Sequence, residues 1–206
     1  MAAPQVVLAT RNSHKVVEVR RILASTHAAI DLIPMPDSVP DVVETGSTFA
    51  GNATLKAEAV SHATGLPAIA DDSGLCVDAL NGMPGVLSAR WAGKHGDDAA
   101  NLDLVLAQLA DVPIVRRGAQ FVCVAALAAP GFRTVVSEGV VMGALIHERR
   151  GDGGFGYDPI FIAEGHEVTT AQMAPEQKDA ISHRGAAMRG LAAALASLPQ
   201  GGTSQP

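Results

Sequence analysis

Residues 68–75 read AIADDSGL, a short apolar run followed by two adjacent aspartates, Asp71 and Asp72. An apolar run of this length, bounded by polar residues and glycine, is typical of a buried strand, so we expect the two aspartates at a strand end. Two neighbouring ionised carboxylates repel each other unless a cation or several donors offset their charge, and oxygen ligands favour Mg²⁺. A strand-to-turn junction with solvated aspartates explains the same stretch, so both interpretations stay open at this point.

The composition limits the class of protein. The chain has 206 residues, of which 48% are hydrophobic and 17% charged, enough for one large domain or for two lobes. A net charge of −6 without a basic block argues against non-specific binding to nucleic acid. No apolar segment approaches the about 20 residues of a membrane span, the N-terminus does not resemble a signal peptide, and the two cysteines lie in apolar runs. We therefore expect a cytoplasmic protein that binds neither nucleic acid nor a membrane.

A polar loop between a strand and a helix is the first candidate binding segment. Residues 5–9 predict a buried strand, and residues 16–23 have apolar positions at helical spacing. The loop between them, TRNSHK at 10–15, would place backbone N–H groups, a helix N-terminus and a lysine where a phosphate group can bind. Ordinary helix capping by Asn12 or Ser13 explains the same loop.

A second predicted helix carries two polar residues one turn apart. Its Ala-rich pattern begins after a Ser-Thr pair and runs to about residue 64, before a Gly-Leu-Pro stop signal. Asn52 and Lys56 are four residues apart and lie on one face of this helix. A solvated face would explain the spacing, but Glu44 just before the helix is a further possible metal ligand, which favours a cleft.

The rest of the pattern is that of an α/β chain. Residues 76–80 predict the continuation of a strand, and an amphipathic helix opens at Asp97 or Asp98. Residues 119–128 and 133–142 predict a β-hairpin.

Segment 150–159, RGDGGFGYDP, is the most glycine-dense part of the chain. It formally contains the dinucleotide fingerprint G-x-G-x-x-G, but a helix must follow that fingerprint, whereas Pro159 and the apolar residues after it predict a strand. The glycines permit close approach of the backbone to a ligand and place Phe155 and Tyr157 on a mobile, exposed loop. In a chain with 3% aromatic residues, this pair indicates a stacking platform for a ring.

Cations also mark a helix start near the C-terminus. In the segment KDAISHRG at 178–185, Ser182 is the predicted N-cap of a final Ala- and Leu-rich helix that runs to about residue 198. We expect residues 1–198 to form a single two-lobed domain and residues 199–206 to be a flexible tail.

Taken in order, these motifs resemble the inosine triphosphate pyrophosphatase family, hydrolases of non-standard purine nucleoside triphosphates. The resemblance covers residues 5–198 and rests on TRNSHK at 10–15, ETGSTF at 44–49 with NATLKA at 52–57, ADDSGL at 70–75, PGVLSAR at 84–90, GFGYDP at 154–159, and Lys178 with SHRG at 182–185. The chain departs from the family at His14, where glycine is common, and at Trp91, where tyrosine is common.

The resemblance implies an α/β fold, an elongated mixed β-sheet flanked by helices, with two lobes around a central nucleotide-binding cleft. It also implies an active homodimer and Mg²⁺-dependent hydrolysis of ITP, dITP or XTP to the nucleoside monophosphate and pyrophosphate. By matching motif, Glu44 and Asp72 would bind Mg²⁺ with help from Asp71, and Asp72 would activate water. The residues that match the triphosphate-binding motifs are Thr10, Asn12, Lys15, Lys56 and Lys178, and the loop residues predicted with them to bind substrate are Arg11, Ser13 and His14. The residues that match the nucleoside-binding motifs are Ser73, Phe155, Gly156, Tyr157, Asp158, His183 and Arg184.

Two other functions remain open. A related septum-associated pyrophosphatase acting on pyrimidine or modified nucleotides would use the same chemistry, but it is not expected to carry the motifs at 155–158 and 183–184. A nucleotide-sensing module without turnover would need the cationic loops and would have no use for carboxylates beside them. The presence of Glu44, Asp71 and Asp72 therefore favours an enzyme.

Overall fold

The computed structural model describes residues 3–26 and 30–198, and the predicted tail at 199–206 lies outside these ranges. The strands in the described ranges are β1 (Gln5–Leu8), β2 (Asp31–Pro34), β3 (Ala68–Val77), β4 (Gly118–Ala128), β5 (Val135–Leu145) and β6 (Phe161–Ala163). The α-helices are α1 (Ser13–Ser25), α2 (Phe49–Thr64), α3 (Asp98–Gln108), α4 (Pro175–Ile181), α5 (His183–Gly190) and α6 (Ala192–Ala196). None of the helices in this described part is long and apolar enough to cross a membrane.

The strands form one mixed sheet in the order β2-β1-β3-β4-β5-β6. β1 runs parallel to β2 and to β3, with Val7 opposite Ile33 on one side and Ala68 on the other. β6 runs antiparallel to β5, with Leu145 opposite Phe161. A sheet of both kinds with helices on it is the predicted α/β architecture, which is thereby confirmed.

The chain divides into two compact units. Of the described residues, the first unit contains those up to Asp72, Val124–Glu138 and those from Ala187 onward, and the second contains Ser73–Cys123 and Gly139–Ala186. In the first unit, the apolar face of α2 packs with residues of β1, β3 and β4. In the second unit, α3 packs with residues of β4, β5 and β6. Each unit therefore has buried apolar side chains that hold its functional residues in place.

The extent of β3 differs from the predicted one. The sequence predicts that the strand stops at the aspartates, but β3 continues to Val77, so Asp71 and Asp72 lie in its middle. The predicted continuation through residue 80 is also wrong, because Asp78–Leu80 form a 3₁₀-helix. Both carboxyl groups are buried, and a carboxylate can lie inside a buried strand only when cations or donors contact it.

Local capping signals correctly predict where the first two helices begin. The side-chain oxygen of Asn12 accepts hydrogen bonds from the backbone N–H groups of His14 and Lys15 at the start of α1. Thr48 likewise accepts from Gly51 N at the start of α2, and that helix ends at Gly65 with a left-handed φ of 70°. These caps satisfy backbone N–H groups in the first turn of each helix.

The C-terminal segment contains more helices than the single one predicted. Ser182 Oγ accepts from Gly185 N at 2.9 Å, which confirms the predicted cap. The single predicted helix is instead α5 followed by α6, with Leu191 between them, and α4 before the cap was not predicted. Lys178 lies on α4, four residues before the cap at the start of α5.

Candidate active site

In the first unit, three carboxylates and two lysines form a carboxylate–lysine cluster, Glu44, Asp71, Asp72, Lys15 and Lys56. Lys56 Nζ lies 2.6 Å from Glu44 Oε1 and 3.7 Å from Asp72 Oδ1. Lys15 Nζ lies 3.0 Å from Asp71 Oδ2. The aspartate side chains are almost fully buried and the lysine side chains largely so. The structure therefore brings together the phosphate-binding lysines and the metal-binding carboxylates that the sequence predicts for this part of the chain.

Asn52 connects the loop before α2 to β3. Its side chain is fully buried, its amide nitrogen donates to Asp72 Oδ2 at 2.9 Å, and its amide oxygen accepts from Gly46 N at 2.8 Å. A Cβ on Gly46 would lie 2.6 Å from the same amide oxygen, so this close approach requires glycine. The spacing of Asn52 and Lys56 indicated a shared helix face, but only the structure shows that Asn52 orients Asp72.

We expect Asn52→Ala to lower the free energy of unfolding by about 1–3 kcal/mol, because Gly46 N–H loses its buried acceptor and Asp72 loses a donor. Urea denaturation measures this change. His62→Ala, which alters an exposed residue on the same helix, is the matched control and should shift stability by less than about 0.5 kcal/mol. Equal stability of the Asn52 variant and the wild type would contradict the assigned role.

The buried charges in this cluster shift each other's pKa values. Burial raises the pKa of Asp72 and nearby Glu44 adds to the rise, while Lys56, the Asn52 hydrogen bond and Lys15 oppose it. For Lys56, burial lowers the pKa, but Asp72, Asp71 and Glu44 together outweigh it, so the pKa is raised. Lys56 therefore stays charged, and Asp72 accepts a proton more readily than an exposed aspartate does.

The metal site predicted at Glu44, Asp72 and Asp71 stays a prediction, and these three carboxylates do not form one preformed set of ligands. Across residues 3–26 and 30–198, no group of three or more His, Cys, Asp or Glu side chains is arranged to hold a metal ion. Successive side chains on a strand point to opposite faces, and Asp71 pairs with Lys15 whereas Asp72 faces Lys56. Glu44 and Asp72 do converge on one ammonium group. Mg²⁺ needs only one or two carboxylates when water and phosphate complete its shell, so this pair fits Mg²⁺.

The loop at 10–15 has the geometry of a helix cap. Thr10 Oγ1 accepts from Asn12 N at 3.2 Å, and the Asn12 side-chain oxygen holds the first turn of α1. Because that oxygen faces the helix, the amide nitrogen of Asn12 is the atom that can donate to an anion. Ser13 and His14 are exposed in the same first turn, beside the positive end of the helix dipole.

Arg11 has a structural role in the same loop. Its guanidinium donates to Asp41 Oδ1 at 2.8 Å and to the carbonyl oxygen of Val39 at 2.6 Å. These bonds tie loop 10–15 to the proline-rich segment after β2. The predicted substrate contact of Arg11 stays a prediction.

In the second unit, Phe155, Asp158, Lys178 and Arg184 form an aromatic–cation cluster. Lys178 Nζ lies 5.3 Å and Arg184 Cζ 5.5 Å from the centroid of the Phe155 ring, within the range of a cation–π contact. Lys178 Nζ donates to Asp158 Oδ2 at 2.6 Å, and the same oxygen accepts from Phe155 N at 2.9 Å. Lys178, predicted to bind the triphosphate, therefore lies among the residues predicted to bind the nucleoside.

His183 and Arg184 are each held by a neighbour. The His183 ring stacks on Phe121 of β4, with centroids 4.9 Å apart and 11° between the planes. Arg184 Nη2 donates to Ser73 Oγ at 2.9 Å. Phe121 was not predicted from the sequence. The feature that could have pointed to it is that an aromatic residue is rare in this chain and lies here in a strand rich in Val and Ala.

The prediction of an exposed aromatic pair is wrong for Tyr157. Its ring is buried in the core of the second unit, and its hydroxyl donates to the Ser88 carbonyl oxygen at 2.8 Å. Burial and the nearby Asp98 raise its pKa. Gly156, at a φ of 61°, turns the chain between the half-buried Phe155 and this buried ring, and Gly156 N donates to Asp98 Oδ2. Phe155 is therefore the aromatic side chain of this loop that can contact a ring.

The fold and these clusters define a mixed α/β protein in which buried carboxylates pair with largely buried lysines. The chain belongs to the Ham1 family, whose model matches residues 6–194. A relative from Streptomyces coelicolor, named dITP/XTP pyrophosphatase, is 57% identical over 189 residues, which cover 91% of this chain and 94% of the relative.

Solved structures agree with this assignment. A HAM1 protein from Coxiella burnetii superposes with a TM-score of 0.84 at 44% identity, covering 95% of this chain and all of that one. A structure from Mycobacterium abscessus, described as a nucleoside-triphosphatase / dITP/XTP pyrophosphatase, has a TM-score of 0.73 at 49% identity, covering 94% of this chain and all of the other. The family and fold predicted from the sequence are confirmed.

Proposed function

We propose that this protein hydrolyses non-standard purine nucleoside triphosphates, namely ITP, dITP and XTP, to the nucleoside monophosphate and pyrophosphate. It would thereby remove them from the cytoplasmic nucleotide pool before they enter nucleic acid. The observation that carries the proposal is the pair of carboxylates, Glu44 and Asp72, on the buried ammonium of Lys56. The relative from Streptomyces coelicolor named for dITP and XTP supports the substrate class.

The first unit would act on the phosphate end of the substrate. Lys15 and Lys56 would contact phosphate oxygens, together with Thr10, the amide nitrogen of Asn12 and the N-terminus of α1. A phosphate group is a better partner for these ammonium groups than a single carboxylate, because it presents several charged oxygens. Lys178, a residue of the second unit, is also proposed to bind the triphosphate.

Glu44 and Asp72 would hold Mg²⁺, which supplies charge neutralisation for the phosphates when it is bound. Asp72 would also orient a water molecule in line with the α-phosphorus and accept its proton. Asn52 holds Asp72 in place through its donated hydrogen bond.

The second unit would bind the purine base and select for it. Phe155 offers a ring face for stacking, and Arg184 offers donors that match a 6-oxo group. The hydrogen bond from Arg184 Nη2 to Ser73 Oγ restrains one end of the guanidinium group. His183, oriented by the Phe121 ring, would contact the same edge of the purine.

We expect cleavage between the α- and β-phosphates, so that ITP gives IMP and pyrophosphate as first products. The reason is that cations on several segments can hold the whole triphosphate and place the water near the α-phosphorus. Anion-exchange chromatography of early time points, with Mg²⁺ and with a chelator in its place, measures this. Orthophosphate and IDP as first products would contradict the proposal, as would turnover restricted to pyrimidine nucleotides. Tight binding without any turnover would instead identify a sensor.

The active form is proposed to be a homodimer. Val140 and Met142, two residues apart on β5, are 41% and 49% exposed, and adjacent exposed apolar side chains on one strand face favour burial against a second copy. Light scattering during size-exclusion chromatography tests this. A monomer at micromolar concentration would contradict it.

A further inference from the structure

We propose that Thr170 is a positioning residue for base selection, because its hydroxyl fixes the Asp158 carboxylate on which Lys178 and Phe155 are both held. The inference rests on the proposed function, since it concerns the residues that would read the base. Thr170 lies in a short 3₁₀-helix, Thr170–Gln172, outside every motif that carried the sequence prediction.

The geometry places Thr170 directly on the carboxylate. Thr170 Oγ1 lies 2.7 Å from Asp158 Oδ1 and 3.2 Å from the Asp158 carbonyl oxygen. A hydroxyl donates one proton, and the shorter distance assigns it to the carboxylate. Asp158 Oδ2 accepts from Lys178 Nζ and from Phe155 N. Thr170 therefore donates to one oxygen of Asp158, while the other oxygen accepts from Lys178 and Phe155, two other members of the aromatic–cation cluster.

The hydrogen bond from Thr170 to Asp158 is buried, so its loss would not be compensated by water. Thr170 is 4% exposed and Asp158 is 3% exposed, so water has little access to replace a lost donor. Without the hydroxyl, Asp158 Oδ1 would lose a charge-assisted hydrogen bond inside the protein. The carboxylate would then rotate or shift toward other donors. The Lys178 ammonium and the Phe155 backbone N–H would lose the acceptor that they share, Asp158 Oδ2.

The neighbouring Thr169 provides a matched comparison. It is fully buried, and its hydroxyl donates to the Arg150 carbonyl oxygen at 2.6 Å rather than to Asp158. Gly153 N also donates to the carbonyl oxygen of Ala171, so the turn holds the glycine loop at more than one point. The two threonines thus make similar buried bonds to the same loop, but only Thr170 contacts the carboxylate.

Steady-state kinetics of T170V, T170S and T169V tests the proposal. For T170V we expect kcat/KM for ITP to fall about tenfold, mainly through KM, with a change of less than about threefold for ATP. T170S keeps the hydroxyl and should restore most of the ITP preference, whereas T169V should leave the ratio of ITP to ATP unchanged. Equal losses on both nucleotides in T170V, or the same loss of preference in T169V, would overturn the proposal. Thr170→Ala replaces T170V if the valine variant does not fold.

A measurement that needs no turnover separates this inference from the proposed function. Phe155 N–H donates to Asp158 Oδ2, so its hydrogen exchange, followed by NMR, reports on the carboxylate. We expect faster exchange in T170V, and near wild-type exchange in T170S and T169V. Unchanged Phe155 exchange in T170V would overturn the positioning role even if ITP is the substrate. A wild-type protein that turns over no purine nucleotide would overturn the proposed function, while the exchange result would still decide the role of Thr170.

Discussion

The Asp72→Asn variant is expected to fold normally and to lose about 10²- to 10⁴-fold in kcat on ITP. The amide keeps the size of the side chain, and its oxygen can still accept from the Asn52 amide nitrogen. It removes the proton acceptor and the negative charge beside Lys56 and Glu44. Because burial already disfavours the ionised form of Asp72, a neutral side chain is tolerated at this position in the fold.

Kinetics at saturating Mg²⁺ and urea denaturation of the same samples measure the two parts of this prediction. Asp71→Asn is the matched control, since it makes the same change one residue earlier on β3, where the carboxylate pairs with Lys15. We expect a smaller loss of kcat in that variant. Near wild-type kcat for Asp72→Asn would remove Asp72 from its proposed role, and equal losses in both variants would indicate a general effect of lost charge.

Arg184→Ala is expected to lower kcat/KM for ITP about 10- to 100-fold, with only a few-fold change for ATP. A guanidinium has donors and no acceptor, so it satisfies the 6-oxo group of hypoxanthine and faces the 6-amino donors of adenine unfavourably. Guanine shares the 6-oxo group, so poor turnover of GTP must arise at the 2-position, where inosine has no amino group. The wild type should therefore turn over ITP, dITP and XTP well and ATP and GTP poorly.

A panel of nucleoside triphosphates, assayed for pyrophosphate release, measures this selectivity. Arg189→Ala removes an exposed arginine from the same helix, α5, and should leave both ITP and ATP kinetics unchanged. Equal losses on ITP and ATP in Arg184→Ala would show that Arg184 binds phosphate or supports the fold. The stacking of its guanidinium near Phe155 would then be structural only.

The sequence predicts well the interactions between residues that are close together in the chain. Ser182 caps a helix as predicted, and Asn12 and Thr48 are each one of the two residues predicted as caps, because a cap bonds to N–H groups two or three residues away. The order of motifs along the chain also correctly predicts the family. Elsewhere, tertiary contacts led to a local structure that differs from the one predicted by the local sequence pattern. β3 continues through Asp71 and Asp72 because distant lysines contact their carboxylates.

By itself, the sequence determined the α/β fold class, the starts of α1, α2 and α5 and the set of residue types available for nucleotide chemistry, since each depends on local pattern and composition. Only the tertiary structure decided which of these residues meet. It pairs Lys178 with Asp158, buries Tyr157 and adds Asn52 and Thr170 as residues that orient carboxylates. The physical reason is that hydrogen bonds from buried side chains to groups 12 to 69 residues away in the chain depend on packing, and no local sequence signal specifies them.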